Sequence, residues 1–142
     1  MQWQNVGEIV IGGFLAIQSI WDLKYREILI SVSIIGAAGG VFGVIYTDRN
    51  FIELLVAFVP AGVCYMFSKL SQGALGLGDV IVLAVLAFYY SLEQVVSICM
   101  LACSIAAVVA IYLLVVAQKK GDYQIPFVPF LWLGWLVNVI LV

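Results

Sequence analysis

Long apolar runs separated by short polar segments are the feature of this sequence that most restricts its fold. Six runs extend from about Val6 to Trp21, Ile28 to Tyr46, Phe51 to Phe67, Val80 to Leu92, Val95 to Ala117 and Pro126 to Val142. The mean hydropathy of +1.20 implies more apolar surface than a soluble chain of 142 residues is able to bury. A membrane-spanning helix needs about 20 apolar residues. The runs therefore predict an all-α, polytopic membrane protein with six transmembrane helices and one domain over residues 1–142.

The basic residues are distributed unevenly among the five predicted loops. The first, third and fifth loops hold Lys24, Arg26, Lys69, Lys119 and Lys120, whereas the second and fourth hold only Arg49. Cytoplasmic loops carry an excess of Lys and Arg, so the odd-numbered loops are expected in the cytoplasm and both termini outside it. The net charge of −2 and the scattered basic residues argue against a nucleic-acid partner.

Two aspartates lie at the ends of apolar runs that this orientation places in the cytoplasmic leaflet. Asp22 ends the first run, and Asp79 precedes the fourth. The fourth run has 13 residues and spans roughly 20 Å as a helix, less than the roughly 30 Å of hydrocarbon. Asp79 is therefore expected either where the bilayer thins or below the headgroups in a cavity that water enters. Ionisable groups at such depth are candidates for function.

Each aspartate also has a simpler interpretation. Asp22 beside two basic residues is typical of a solvated interfacial charge, and Asp79 after a glycine turn is typical of a helix N-cap. The N-cap does not account for the three nearby glycines, which favour close approach of the backbone to a ligand or another chain. These glycines are Gly73, Gly76 and Gly78.

Together the two acids suggest the chemistry of an aspartyl protease. Two carboxylates within hydrogen-bonding reach share a proton. The ionised member takes a proton from the attacking water, and the protonated member donates to the peptide carbonyl. The sequence contains no histidine. Helix dipoles favour Asp79 as the base and Asp22 as the acid, although Lys24 and Arg26 oppose this assignment and a coupled pair titrates as a unit.

Three short segments then occur in a characteristic order along the chain. They are Trp21-Asp22-Leu23-Lys24-Tyr25-Arg26-Glu27-Ile28, Gly73-Ala74-Leu75-Gly76-Leu77-Gly78-Asp79-Val80 and Ile125-Pro126-Phe127-Val128-Pro129-Phe130-Leu131. With them the sequence resembles the type IV prepilin peptidase family, membrane aspartyl proteases that carry a Gly-X-Gly-Asp motif. The resemblance implies a catalytic pair, Asp22 and Asp79. It also implies motif or substrate-binding residues, namely Arg26, Gly76, Gly78, Pro126, Phe127 and Pro129.

The resemblance implies an endopeptidase that removes a short basic leader from prepilin-like precursors, of pilin, pseudopilin or flagellin type. Cleavage is expected at the cytoplasmic face of the cytoplasmic membrane, commonly after a glycine. The expected partners are these precursors and the lipid bilayer, with no cofactor. Larger members also N-methylate the product and carry a long loop with two Cys-X-X-Cys pairs. The first loop here has six residues and no cysteine, so we expect cleavage without methylation and no zinc.

Departures from the family pattern leave the substrate open. The family often has a lysine where Ile81 stands, and Pro-Asn where Leu29 and Ile30 stand. The main alternative function is a non-catalytic carrier that uses the same acids for protons or cations. The sequence shows no matching halves of the kind that transporters have. A peptidase-like protein that only binds pilin-like chains is a second alternative, which the two intact acids oppose.

Three further features have alternative interpretations. Gly36, Gly39, Gly40 and Gly43 favour close helix packing, or a face that docks substrate. Pro126 and Pro129 predict either irregular backbone lining a cleft or a helix start with Pro126 in its first turn. Cys64, Cys99 and Cys103 are interpreted as small buried apolar residues.

Overall fold

The computed structural model describes residues 2–70, 76–116, 118 and 125–141. Within these ranges the chain forms only helices: α1 (Gln2–Tyr25), α2 (Ile30–Tyr46), α3 (Phe51–Ala57), α4 (Val59–Leu70), α5 (Leu77–Tyr89), α6 (Leu92–Val115) and α7 (Val128–Leu141). Three helical segments, Asn5–Tyr25, Phe51–Leu70 and Leu92–Val115, are long and apolar enough to cross a membrane. The prediction of an all-helical membrane protein is confirmed, and the number of six spans stays a prediction.

The third predicted run is interrupted where α3 meets α4. Pro60 has no backbone N–H, and its ring crowds the carbonyl four residues earlier, which disrupts the regular helix. Phe58 separates the two helices, and its N–H donates to the carbonyl of Leu55 at 3.2 Å. This tighter spacing is that of a 3₁₀ turn. The sequence interpretation treated Phe51 to Phe67 as one uninterrupted run and missed the break.

The fifth helix lies three residues earlier in the chain than the fourth predicted run. It covers Leu77–Tyr89, not Val80 to Leu92, because Gly76 is its N-cap and the extended backbone of Tyr90 ends it. Ser91 then caps α6 and forms a reciprocal capping box with Gln94. Asp79 therefore lies inside the first turn of α5. Its interpretation as the N-cap is wrong.

The glycine-rich face of α2 packs against α5 and α1. A Cβ atom on Gly40 would lie 2.5 Å from the Cβ of Phe88, and one on Gly39 would lie 2.7 Å from the hydroxyl oxygen of Tyr89. That hydroxyl donates to the carbonyl of Gly36 at 2.7 Å. Close helix packing is confirmed. The hypothesis that this face docks a substrate is wrong, because the protein's own helices occupy it.

Arg49 joins the α2–α3 connection to the C-terminal end of α5. Its guanidinium donates from Nη1 to the carbonyls of Ala87 and Phe88 at 3.0 and 3.3 Å, and from Nη2 to Tyr90 at 2.7 Å. These carbonyls belong to the last turn of a helix, which leaves acceptors unpaired and carries partial negative charge. The basic residue that stands outside the predicted charge pattern therefore has a structural role.

Candidate active site

A cavity of about 830 Å³ lies at the opposite end of α5 from Arg49. Its walls come from the end of α1, the start of α5, the middle and later part of α6 and the segment that leads into α7. Asp22 and Asp79 both line it, and their carboxyl groups are close enough to interact electrostatically. The structure thus brings the two sequence-predicted acids, 57 positions apart in the sequence, to one cavity.

Asp22 lies in the last turn of α1 and is only 7% exposed. Its Oδ2 accepts a hydrogen bond of 3.2 Å from the backbone N–H of Val128, the first residue of α7. The N-terminus of a helix favours a negative charge. Because Asp22 contacts one helix N-terminus and Asp79 lies at another, the dipole argument that made Asp79 the base and Asp22 the acid fails.

Asp79 occupies the third position of α5, facing back toward the start of the helix. Its backbone N–H donates to the carbonyl of Gly76 at 3.1 Å, and its carboxyl group accepts a hydrogen bond from the backbone of Gly76. An acidic residue that reaches back to the N-cap backbone in this way satisfies a donor at the helix start. The first turn of α5 therefore orients the Asp79 carboxyl group within the cavity wall.

The two motif glycines that the structure describes have different surroundings. A Cβ atom on Gly78 would lie 2.8 Å from Cγ2 of Ile28, so the start of α5 touches the segment that follows α1. A Cβ atom on Gly76 would have Oδ2 of Asp79 as its nearest neighbour, at an ordinary 3.5 Å. Both glycines line the cavity. The expected close approach is therefore found at Gly78, and the approaching group belongs to this chain. Gly73 lies outside the described residues.

Arg26 ends α1 with a left-handed backbone conformation, at a φ of 55°. Its N–H donates to the carbonyl of Asp22 at 2.8 Å. Such a residue commonly terminates a helix, although in most cases it is a glycine. Arg26 and the adjacent Glu27 both line the cavity. They place one positive and one negative side chain at the edge of the cavity, just beyond the end of α1.

The segment before α7 is irregular from Ile125 to Phe127, as one of the two predictions required. The helix begins at Val128, so the alternative that placed Pro126 in its first turn is wrong. Pro126 and Phe127 line the cavity, whereas Pro129 lies in the first turn of α7 and is not part of the described lining. The donor to Asp22 is Val128, one of the two residues between these prolines, which themselves have no N–H.

Gln18 was not singled out from the sequence, yet its side chain fixes the segment beside the acids. It is fully buried. Its Nε2 donates to the carbonyl of Leu29 and to Oγ of Ser33 at 2.9 and 2.8 Å, and its Oε1 accepts from the N–H of Leu29 at 2.9 Å. The amide thereby pairs both polar groups of the residue that precedes α2. A lone glutamine within the first apolar run was the available signal.

Four small residues of α6 form a further wall of the cavity, and sequence reasoning did not assign them to the site. Cys103, Ala106, Ala107 and Ala110 follow the spacing of a single helix face and all line the cavity. Cys103 is exposed, so its interpretation as a buried apolar residue is wrong, while Cys64 and Cys99 are half-buried. Lys119 and Lys120 lie outside the described residues.

Comparison with known proteins supplies the family. The model described as the type IV leader peptidase family matches residues 9–111 of the chain. The chain belongs to the type IV leader peptidase family. Members of this family are proteases, of aspartic type, and act on prepilin-type substrates. The resemblance inferred from the three segments is thereby confirmed.

The type IV leader peptidase match covers both acids and the α6 wall, and it ends before the Ile125–Leu131 segment. A search of the curated proteins and one of the solved structures each gave no match. The hydrogen bond from Val128 to Asp22 is therefore inferred from the structure alone.

Proposed function

We propose that this chain is a membrane aspartyl endopeptidase that removes the leader peptide from prepilin-like precursors, of pilin, pseudopilin or flagellin type. The proposal places the reaction at the cytoplasmic face of the cytoplasmic membrane, with Asp22, Asp79 and one water as the reacting groups. One observation carries it: two acids from separate helices line one cavity in a member of the type IV leader peptidase family.

The proposed mechanism follows from the proximity of the two carboxyl groups. Two neighbouring carboxylates share one proton because both do not ionise easily. The ionised member accepts a proton from water as the water oxygen attacks the peptide carbonyl carbon. The protonated member donates to the carbonyl oxygen, and the amine leaves with a proton as the carbon–nitrogen bond breaks. Donors from Val128 and Gly76 to the two carboxyl groups support this pairing, because they orient both.

Topology is part of the same proposal. Six spans, with both termini outside the cytoplasm, would place the cavity at the cytoplasmic end of the bundle, as the charge pattern of the loops predicts. A thiol introduced as Gln118→Cys, at an exposed position between α6 and α7, is expected to react with an impermeant maleimide only when the cytoplasmic side is accessible. Labelling from outside intact cells would overturn the orientation.

Co-expression with a prepilin-like precursor tests the activity. The unaltered chain is expected to produce the shortened precursor, and both Asp22→Asn and Asp79→Asn are expected to abolish it while the protein remains folded in the membrane. The matched control is Asp48→Asn, an exposed acid in the α2–α3 connection with no expected effect. Full cleavage by either cavity variant would remove that aspartate from the mechanism.

The cleavage assay, together with a proton-movement assay in vesicles, separates the peptidase from the non-catalytic carrier. An intact precursor, together with proton movement across vesicles that depends on Asp22, would favour the carrier. Mass analysis of the product is expected to show a free, unmethylated N-terminus, because the first loop lacks the cysteine-rich region of larger relatives. An added methyl group would contradict this part of the proposal.

A further inference from the structure

The small-residue wall of α6 continues past the two acids toward the end of the bundle where the cavity lies. Asp79 precedes the last residue of α5 by ten positions, which is about 15 Å of helix. α6 starts after a short connection, and Cys103 lies 11 positions inside it, about 16 Å from its start. Because α5 and α6 run in opposite directions, Cys103 lies at about the depth of Asp79.

The remaining three residues of the wall lie closer to the proposed cytoplasmic side than Cys103 does. Ala110 is seven positions beyond Cys103, which adds about 10 Å along the α6 axis. Over this distance α6 presents only a thiol and three methyl groups to the cavity. On the outer side of Cys103 the helix has no such gap, since a Cβ atom on Gly134 of α7 would lie 2.7 Å from the carbonyl oxygen of Ile98.

The size and lining of the gap fit a polypeptide that reaches the acids from the cytoplasmic side. One wall holds Asp22, a buried residue, and the rim holds Glu27 and Arg26. Carboxylate and guanidinium groups contact peptide N–H, carbonyl and charged side chains. The α6 wall has small side chains, which leave space for backbone and side chains of a second chain.

We propose that the α6 wall formed by Cys103, Ala106, Ala107 and Ala110 holds the leader segment of the precursor in an extended conformation. This inference rests on the proposed function and names the part of the substrate that the wall contacts. Cys103 marks the level of the scissile peptide bond, and Ala110 contacts the leader about three residues closer to its N-terminus, because an extended chain advances about 3.3 Å per residue. A helical occupant would need about seven residues for the same distance.

Disulfide crosslinking measures this register directly. Asp22→Asn keeps the precursor uncleaved, Cys64→Ala and Cys99→Ala leave Cys103 as the single thiol, and the precursor carries one cysteine at each successive position around the scissile bond. With copper phenanthroline as the oxidant, Cys103 is expected to crosslink to the positions flanking that bond. In the Cys103→Ala background, Ala110→Cys is expected to shift the strongest crosslink by about three residues into the leader. Val108→Cys, on the exposed face of α6, is the matched control and should give none.

A shift of about seven residues, or a shift into the apolar segment that follows the leader, would overturn the proposal. So would the absence of crosslinks to Cys103 when the unaltered chain cleaves the same precursor, a result expected if lipid fills the gap.

A second measurement uses adjacent residues: Ala107→Phe should raise KM for the precursor about tenfold or more, and Val108→Phe should leave it unchanged. Equal KM values would also overturn it. If the unaltered chain cleaves no prepilin-like precursor, both the activity and this inference fail.

Discussion

The backbone N–H of Val128 donates a hydrogen bond of 3.2 Å to Oδ2 of Asp22 across 106 positions of sequence. The neighbouring Pro126 and Pro129 have no N–H to offer. The start of α7 directs the N–H of Val128, from between two prolines, to the acid at the end of α1. This relationship gives the proline segment a chemical role: it orients the carboxyl group of Asp22 and stabilises its negative charge.

Replacing that donor should lower activity without removing the acid. Val128→Pro eliminates the N–H, and a hydrogen bond to a charged group contributes about 1.5–3 kcal/mol, so kcat is expected to fall by roughly tenfold to a hundredfold. Val128→Ala retains the N–H and is the control for the lost side-chain packing of this buried residue. Equal rates for the two variants, with equal helix content by circular dichroism, would show that the donor does not matter.

The pH profile of cleavage should be bell-shaped. At low pH both carboxyl groups are protonated and no base is present, so the rate rises with pH as the first one ionises. At higher pH the second one ionises and the acid is lost, so the rate falls again. The measurement is kcat/KM against pH in proteoliposomes. A rate that rises to a plateau and shows no alkaline decline would contradict a shared proton as the active form.

Gly78→Ala should disturb the contact between α5 and the segment after α1. The added methyl group would lie 2.8 Å from Cγ2 of Ile28, and such overpacking costs about 1–3 kcal/mol. Gly76→Ala is the matched control, since its nearest contact is an ordinary 3.5 Å. Thermal unfolding in detergent should show a lower Tm for Gly78→Ala than for Gly76→Ala. In the double variant with Ile28→Ala, the cost of the added methyl group should largely disappear; an additive loss would refute the contact.

Gln18→Leu should destabilise the protein although it makes the first helix more apolar. The substitution leaves the buried N–H of Leu29 without its partner, and such an unsatisfied group costs about 1–3 kcal/mol. The carbonyl of Leu29 loses one donor but keeps the N–H of Ser33 at 3.0 Å. Ser33→Ala removes only one of the contacts of the Gln18 amide and should cost less. Denaturation in mixed micelles provides the comparison. Greater stability of Gln18→Leu than of the unaltered chain would contradict the assigned role.

Arg49→Lys should separate the charge of this residue from its geometry. Lysine keeps the positive charge but has no planar fork to bind three carbonyls at once. We therefore expect the orientation in the membrane to be unchanged and the Tm to fall nearly as far as in Arg49→Ala. Full stability of Arg49→Lys would mean that the charge alone, and not the fork, stabilises the end of α5.

Local sequence features were sufficient to predict the helices and to identify the two acids as candidates for function. The apolar runs predict the helices because backbone polar groups in lipid must be satisfied within the chain. The bounds were less accurate, as at α5, where Gly76 and Ser91 set the ends through capping. The Pro60 break was legible in the sequence, since a proline in the interior of a helix removes an N–H and crowds the carbonyl four residues earlier.

The amino-acid sequence by itself determined that this chain is a helical membrane protein of the type IV leader peptidase family with acids at positions 22 and 79. Only the tertiary structure decided which groups contact them. The donor at Val128 is a backbone atom that every residue except proline has, and the α6 wall consists of small residues that look like ordinary packing. Their roles depend on where helices that are distant in the sequence meet in space. Local periodicity of the sequence does not specify which helices meet.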